Sequence, residues 1–322
     1  MSGRENPAQT GLLTFGETMG LVTARGIGSL DIARDATIGI GGAESNVAIA
    51  AARLGQPVTW IGRLGRDAVG DLIRRRLRAE GIDVLAVSDD SFTGLMVRYH
   101  RTGDVAIVDY HRRGSAGSRL CPDDIPDAVI RRSAVLHVTG ITPALGASAA
   151  AAVSHAVAAA RAAGVTVSFD VNYRSKLWGP ADARTALVPL LAQAGIVFAG
   201  VAEAQLLLGT PCADPGELAV RLSALGPAEV MIKEGDRGCS AVIDGVAHRE
   251  PAVTVTVVDP VGAGDAFAAG YLTSRLAGAG PARRLRVAAA MGAYAVSVPG
   301  DCELLPTAED IDQMLTAMDV LR

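Results

Sequence analysis

Residues 259–272 read "DPVGAGDAFAAGYL" and set Asp259, Asp265 and three glycines directly after the apolar run "AVTVTVV". The apolar run predicts a strand ending at Val258, and the residues after it predict a helix beginning near Gly264. "VGAGD" then lies at a helix N-terminus, where free backbone N–H groups and the positive end of the helix dipole gather. Gly262 and Gly264, on either side of Ala263, let an anion reach that backbone with no side chain in the way. Such a nest suits a phosphate, or negative charge that develops during phosphoryl transfer. Asp265 fits either of two roles there. It caps the helix, or it takes a proton from a hydroxyl that attacks phosphorus.

The familiar nucleotide loops do not apply. A Walker A loop needs Gly-Lys-Ser/Thr, but the two lysines, Lys176 and Lys233, do not follow glycine. A dinucleotide fingerprint needs a third glycine where Gly262-x-Gly264 reaches Phe267. The histidines His100, His137, His155 and His248 are scattered and suggest no ligand cluster.

Composition narrows the class. The 322 residues are 49% hydrophobic, enough for a large core, and the net charge of −4 offers no basic stripe for nucleic acid. The run "RRRLR" at 74–78 reads as the solvated face of a helix. Four singly spread cysteines fit neither a zinc site nor a disulfide framework, and suit a reducing cytoplasm. The polar start "MSGRENPAQTG" lacks the apolar centre of a signal peptide. The Ala-rich stretch 144–163 is broken by Ser148, Ser154, His155 and Arg161, which argues against a membrane span.

The elements that must position the motif alternate strand and helix. "LLTFG", "PVTWIG" and "IDVLAV" read as strands, with helices at 43–55 and 67–81 closed by Gly55 and Gly81. This βαβαβ order implies a parallel sheet covered on both faces. Residues 20–40 and the hairpin 92–113, turning at "RTGD", alternate with one apolar face and predict a small separate sheet. Strand–helix alternation resumes at 134, "CSAVIDG" and "VAHREPA" read as antiparallel strands, and two long helices follow the motif. We therefore expect one α/β domain over 10–318 with a β lid from about 17–40 and 91–113.

"DPVGAGDAFAAGYL" resembles the C-terminal signature of the ribokinase-like (PfkB) carbohydrate kinases. "GGAESNVAIAAARLG" followed by "GRLGRDAVG" is similar to their N-terminal signature. The order of elements between them agrees, so the resemblance spans nearly the whole chain. It implies a three-layer sandwich with a mostly parallel central sheet and a small β-sheet lid. It also implies ATP and Mg2+ as cofactors, Asp265 as base, and Gly262, Ala263 and Gly264 as the anion hole. Gly42 and Asn46 would meet sugar hydroxyls. "KEGDRG", with Lys233, Gly235 and Gly238, would grip ATP, although these glycines also read as a turn between strands. Where the family carries Asn-x-x-Glu near the metal, this chain has Gly200 and keeps only Glu203, which leaves Glu203 an indirect role.

"VDYHRRGSAGSRL", "VTGITPAL" and "FDVNYRSKLW" resemble the branch that phosphorylates 2-dehydro-3-deoxygluconate, a sugar acid, on its terminal hydroxyl. A carboxylate calls for a guanidinium, and Arg112 and Arg174 are the candidates. The resemblance also implies Tyr110 and Asp301 at the sugar and Asn172 near the nucleotide. It sets Met96 where a lid tyrosine is common, and His111 where the branch often has tyrosine. A kinase for a neutral sugar and a silent sugar-binding scaffold are the alternatives. The half-covered lid sheet suggests a homo-oligomer.

Overall fold

The computed structural model describes residues 9–103, 105–212 and 214–320; the polar leader 1–8 and Asp104 of the hairpin turn lie outside them. The first part of the chain forms β1 (Leu12–Phe15), β2 (Met19–Ile27), β3 (Ala36–Gly41), α1 (Ala43–Arg53), β4 (Val58–Gly65), α2 (Ala68–Ala79) and β5 (Asp83–Asp89). A hairpin follows, β6 (Leu95–Thr102) and β7 (Val105–His111), and then α3 (Asp127–Arg132), β8 (Val135–Thr139), α4 (Ala147–Ala162) and β9 (Thr166–Asp170). Next come α5 (Pro180–Leu191), β10 (Ile196–Gly200), α6 (Val201–Leu208), α7 (Pro215–Ser223), β11 (Glu229–Lys233), β12 (Cys239–Ile243) and β13 (Val246–Glu250). Three helices close the chain, α8 (Ala263–Leu276), α9 (Pro281–Val296) and α10 (Ala308–Val320).

The nine-stranded sheet has the order β13-β12-β11-β10-β9-β8-β1-β4-β5. Its pairs are parallel except those made by β12 and β13. Successive strand residues point to opposite faces, so a strand buried on both sides reads as a continuous apolar run. Trp60, Phe198 and Met231 pack with Val47, Tyr271 and Leu285, under α1, α8 and α9. Phe15, Phe169 and Val197 pack with Val153, Leu187 and Leu218, under α4, α5 and α7. These two cores on one sheet are the expected three layers. In α2, the Asp67 carboxylate accepts the Gly70 N–H at 2.8 Å, Ile73 and Leu77 turn inward, and Arg75, Arg76 and Arg78 stay in water.

The two early insertions form a four-stranded sheet of order β3-β2-β6-β7. Its inner face carries Met19, Leu21 and Met96, against which Val108 packs. Outward it leaves Ile27, Ile38 and Val105 exposed.

One expectation needs correction. The run 252–258 before the motif is not a strand. The chain must cross there from the edge strand β13 to the centre, where α8 packs on α1, so no neighbouring strand is available to it. The Val258 and Asp259 N–H groups instead both donate to the Val296 carbonyl at the end of α9, at 2.7 and 3.1 Å. α9 is followed by α10, the second of the two long helices expected after the motif. Its start carries a readable reciprocal cap. Asp310 Oδ2 accepts the Thr307 N–H at 2.8 Å, and Thr307 Oγ1 accepts the Asp310 N–H at 3.3 Å.

Phe198 fastens α8 to the sheet, with edge-on contacts to Phe267 at 6.2 Å and Tyr271 at 5.6 Å between ring centroids. Phe198→Ala should therefore lower unfolding free energy by about 3–5 kcal/mol, read in urea as a lower midpoint at unchanged slope.

Candidate active site

A cavity of about 780 Å³ opens at the C-terminal ends of the parallel strands and is roofed by the small sheet. Ligands bind α/β sheets at this edge, and the volume suits small-molecule substrates. Gly42, Asn46, Met96, Tyr110, Arg112, Asn172, Arg174, Glu203, Lys233, Gly262, Gly264, Asp265 and Asp301 all line it. Folding thus gathers most of the predicted site from widely separated segments.

Three predicted residues do not line it. Ala263 begins α8 beside the lining glycines. Gly235 and Gly238 lie in the turn between β11 and β12, which is one of the two readings the sequence allows them. Gly238 has φ +100°, and a Cβ there would come within 2.1 Å of the Glu250 carbonyl oxygen, so the turn alone accounts for that glycine.

The motif residues start α8 as anticipated. Gly262 is its N-cap, with φ +77°. Asp265 is one turn inside and does not bond its own helix. Its Oδ2 accepts from Asn46 Nδ2 at 2.9 Å and its Oδ1 from Asn172 Nδ2 at 3.4 Å. Asn172 holds φ +39°, a left-handed conformation that asparagine tolerates better than most residues. Burial pushes the Asp265 pKa up to about 7. The Asn46 hydrogen bond opposes that rise, the Asp170 charge adds to it, and Arg174 and Lys233 resist it.

The cations of the cleft differ sharply in their partners. Lys233 grips both oxygens of Asp170, at 3.0 and 2.9 Å. Burial opposes its charge, but Asp170, Glu203 and Asp265 outweigh burial and hold its pKa above the ordinary lysine value. Arg112 is paired with the buried Glu17, Nε to Oε2 at 2.7 Å, and Glu17 also accepts from the Ser115 hydroxyl. Arg98 reaches from the small sheet to Asp259 and Asp301. The exposed Arg174, among the described residues, has no ion-pair partner. Tyr110 is half-exposed, with Arg112 at 5.9 Å and Lys176 at 5.7 Å from its ring centre. His111 points into solvent on the same strand.

Both Glu203 oxygens are already occupied. Oε1 accepts the Tyr173 N–H at 2.8 Å and Oε2 the Gly200 N–H at 2.6 Å. Among the described residues no three His, Cys, Asp or Glu side chains surround a metal position. The fit is therefore to an ion carried by a phosphate ligand and water, not to a protein cage.

Sequence reasoning missed several lining acids and one base. Glu17, Glu44, Asp170 and Arg98 all face the cavity, and Asp259 lies behind its wall. Glu44 is inside the N-terminal signature, and its Oε1 accepts from the Thr139 and Thr142 hydroxyls at 2.7 and 2.6 Å. Burial pushes its pKa up against those bonds. Burial likewise raises the Asp301 pKa to about 6, with Arg98 opposing. The usable signals were positional: Asp259 opens the motif, and Arg98 breaks an apolar strand.

Comparison with known proteins agrees with this geometry. The pfkB family carbohydrate kinase profile matches residues 9–308. The chain is 36% identical over 315 residues to a 2-dehydro-3-deoxygluconokinase of Bacillus subtilis, covering 95% of both chains. It is 31% identical over 311 residues to a 2-dehydro-3-deoxygalactonokinase of Haloferax volcanii, covering 96% of this chain and 97% of the other. An E. coli structure bearing the name ribokinase II, in complex with ATP and Mg2+, superposes with TM-score 0.87 at 25% identity, covering 96% of this chain and 99% of that one. A match of this extent, over a cleft that holds both signatures, makes the chain a member of the pfkB family and a carbohydrate kinase.

Proposed function

We propose that this kinase transfers the γ-phosphoryl group of ATP to the terminal hydroxyl of a sugar acid, most closely 2-dehydro-3-deoxy-D-gluconate. One observation carries the reading: the unpaired Arg174 guanidinium shares a cavity with the buried Asp265 at the start of α8. Arg174 takes the substrate carboxylate in a bidentate grip. The far hydroxyl then reaches Asp265. Asp265 accepts its proton as the oxygen attacks the γ-phosphorus, and ADP leaves with the electrons of the broken P–O bond. Asn46 and Asn172 keep the carboxylate aimed. The N–H groups of residues 262–264 receive the charge that develops on the phosphoryl oxygens. Lys233 and Asp170 line the nucleotide side. Mg2+ would supply charge neutralisation for the transferred phosphoryl group, with Glu203 acting on it only indirectly. The small sheet acts as a lid that excludes water.

The family and the ATP–Mg2+ complex of the E. coli neighbour support ATP and Mg2+ as cofactors. The cytoplasm, where ATP is available and thiols stay reduced, suits both the activity and the four free cysteines. Self-association through the lid would cover Ile27, Ile38 and Val105. The Arg112–Glu17 pair favours one second reading, because it withdraws one of the two cations expected for the carboxylate. That reading is a kinase for a neutral sugar of the fructose or ribose type.

ADP release with Mg-ATP should be seen with 2-dehydro-3-deoxygluconate or its galactonate epimer and not with fructose or ribose. Release with the neutral sugars alone would favour the second reading. Arg174→Ala should raise KM for the sugar acid about 10–100-fold while leaving ATP affinity unchanged. An unchanged KM would remove Arg174 from the site.

Asp265→Asn should lower kcat by roughly 10²–10⁴-fold with ATP binding retained, and near-normal turnover would end its assignment as base. The wild-type rate should fall as pH drops through about 7, where Asp265 becomes protonated. The stability sign is opposite. The native state favours a neutral Asp265, so its contribution is fully present below the unfolded value of 3.8 and is lost as pH rises through about 7. Asp265→Asn should therefore be more stable than wild type at pH 8, by roughly 1–3 kcal/mol, with the gap closing towards pH 4. Thermal melts at both pH values check this.

A further inference from the structure

Arg98 lies in β6, paired in register with Val108 of β7 and Thr23 of β2. Its side chain leaves the small sheet and ends between two carboxylates of the main domain. Nη1 is 3.0 Å from Asp259 Oδ2 and 3.1 Å from Asp301 Oδ1, and none of the three side chains is more than 10% exposed. Asp259 in turn accepts the Val261 N–H at 3.1 Å and the Gly300 N–H at 3.4 Å. Those donors belong to the two loops that meet at Gly262. A Cβ on Gly262 would come within 2.5 Å of the Asp301 carbonyl oxygen, so the loops are in close contact there. Arg98 Nε has no hydrogen-bond partner. The guanidinium therefore acts through one nitrogen shared by both acids, and it offsets a repulsion that would otherwise push the two loops apart.

We propose that Arg98 is a positioning residue that couples seating of the small sheet to the shape of the phosphate-binding loop 259–264. With the sheet down, Arg98 bridges Asp259 and Asp301, and the Val261 and Gly262 backbone is fixed for the transferred phosphoryl group. With the sheet raised, the bridge opens and the loop relaxes. ATP without sugar then meets an incomplete nest and is not hydrolysed. The proposal rests on residues 262–264 being the anion hole of the reading above.

Arg98→Met, Arg98→Lys and the Arg98→Met/Asp259→Asn double variant are compared with wild type and with Asp265→Asn. Hydrogen exchange of the 259–264 amides needs no sugar, so it decides the proposal even where the assigned substrate proves wrong. In Arg98→Met that exchange should be roughly tenfold faster than in wild type, with β8–β10 unchanged. Sugar-dependent kcat should fall about 30–100-fold, the Kd for Mg-ATP should stay within about threefold, and Arg98→Lys should recover part of the loss. Adding Asp259→Asn to Arg98→Met should cost less than about threefold more, because both act through one bridge. The double variant leaves no lone buried Asp259 charge, so it is read in place of Arg98→Met if that protein does not fold. Unchanged exchange overturns the proposal even where turnover falls, since Arg98 would then act on the sugar and not on the loop. Losses that multiply in the double variant overturn it as well.

Discussion

A carboxylate taken out of water at the start of a helix is the constraint on which this structure turns. Burial makes the charged form of Asp265 costly, and one strong hydrogen bond from Asn46 offsets only part of that cost. A neutral group would be easier to bury. A buried acid with a raised pKa suits the proton removal proposed for it. The surroundings follow from this. α1 delivers Asn46, a left-handed turn after β9 delivers Asn172, and an aromatic cluster on Phe198 pins the helix that bears the acid.

Around that acid, charge is matched element by element. Lys233 on β11 answers Asp170 on β9, Arg112 after β7 answers Glu17 after β1, and Arg98 on β6 answers Asp259 and Asp301. Buried pairs of this kind are weak contributors to stability against apolar replacements, yet breaking one is expensive. Their value is in geometry. Two of the three join the small sheet and its flanks to the main domain, so charge fastens that sheet over the cavity. Arg174 stands outside this pattern, an exposed guanidinium beside a matched set.

Much of this was legible in the sequence. Glycine pairs, helix-closing glycines and strand alternation are local signals, and they gave the sandwich, the small sheet and the start of α8. The run 252–258 misled because an alternating apolar pattern records what a segment could bury, not whether a strand lies next to it. The start of α10 was left unplaced, although Thr307 and Asp310 spell out its cap. The ion pairs were illegible for a different reason. Arg98 and Asp301 are 203 residues apart, and Arg112 and Glu17 are 95 apart. A charged residue in a sequence announces that it needs a partner but not which one.

The bond between Asn46 and Asp265 joins residues separated by 219 positions. On a ribosome, the chain emerges with Asn46 first and waits for most of the remaining synthesis before Asp265 arrives. Contacts of such long sequence separation form late, after the strands between them have docked. On the roles proposed for them, a nascent or prematurely terminated chain would carry Asn46 without Asp265 and so could not spend ATP.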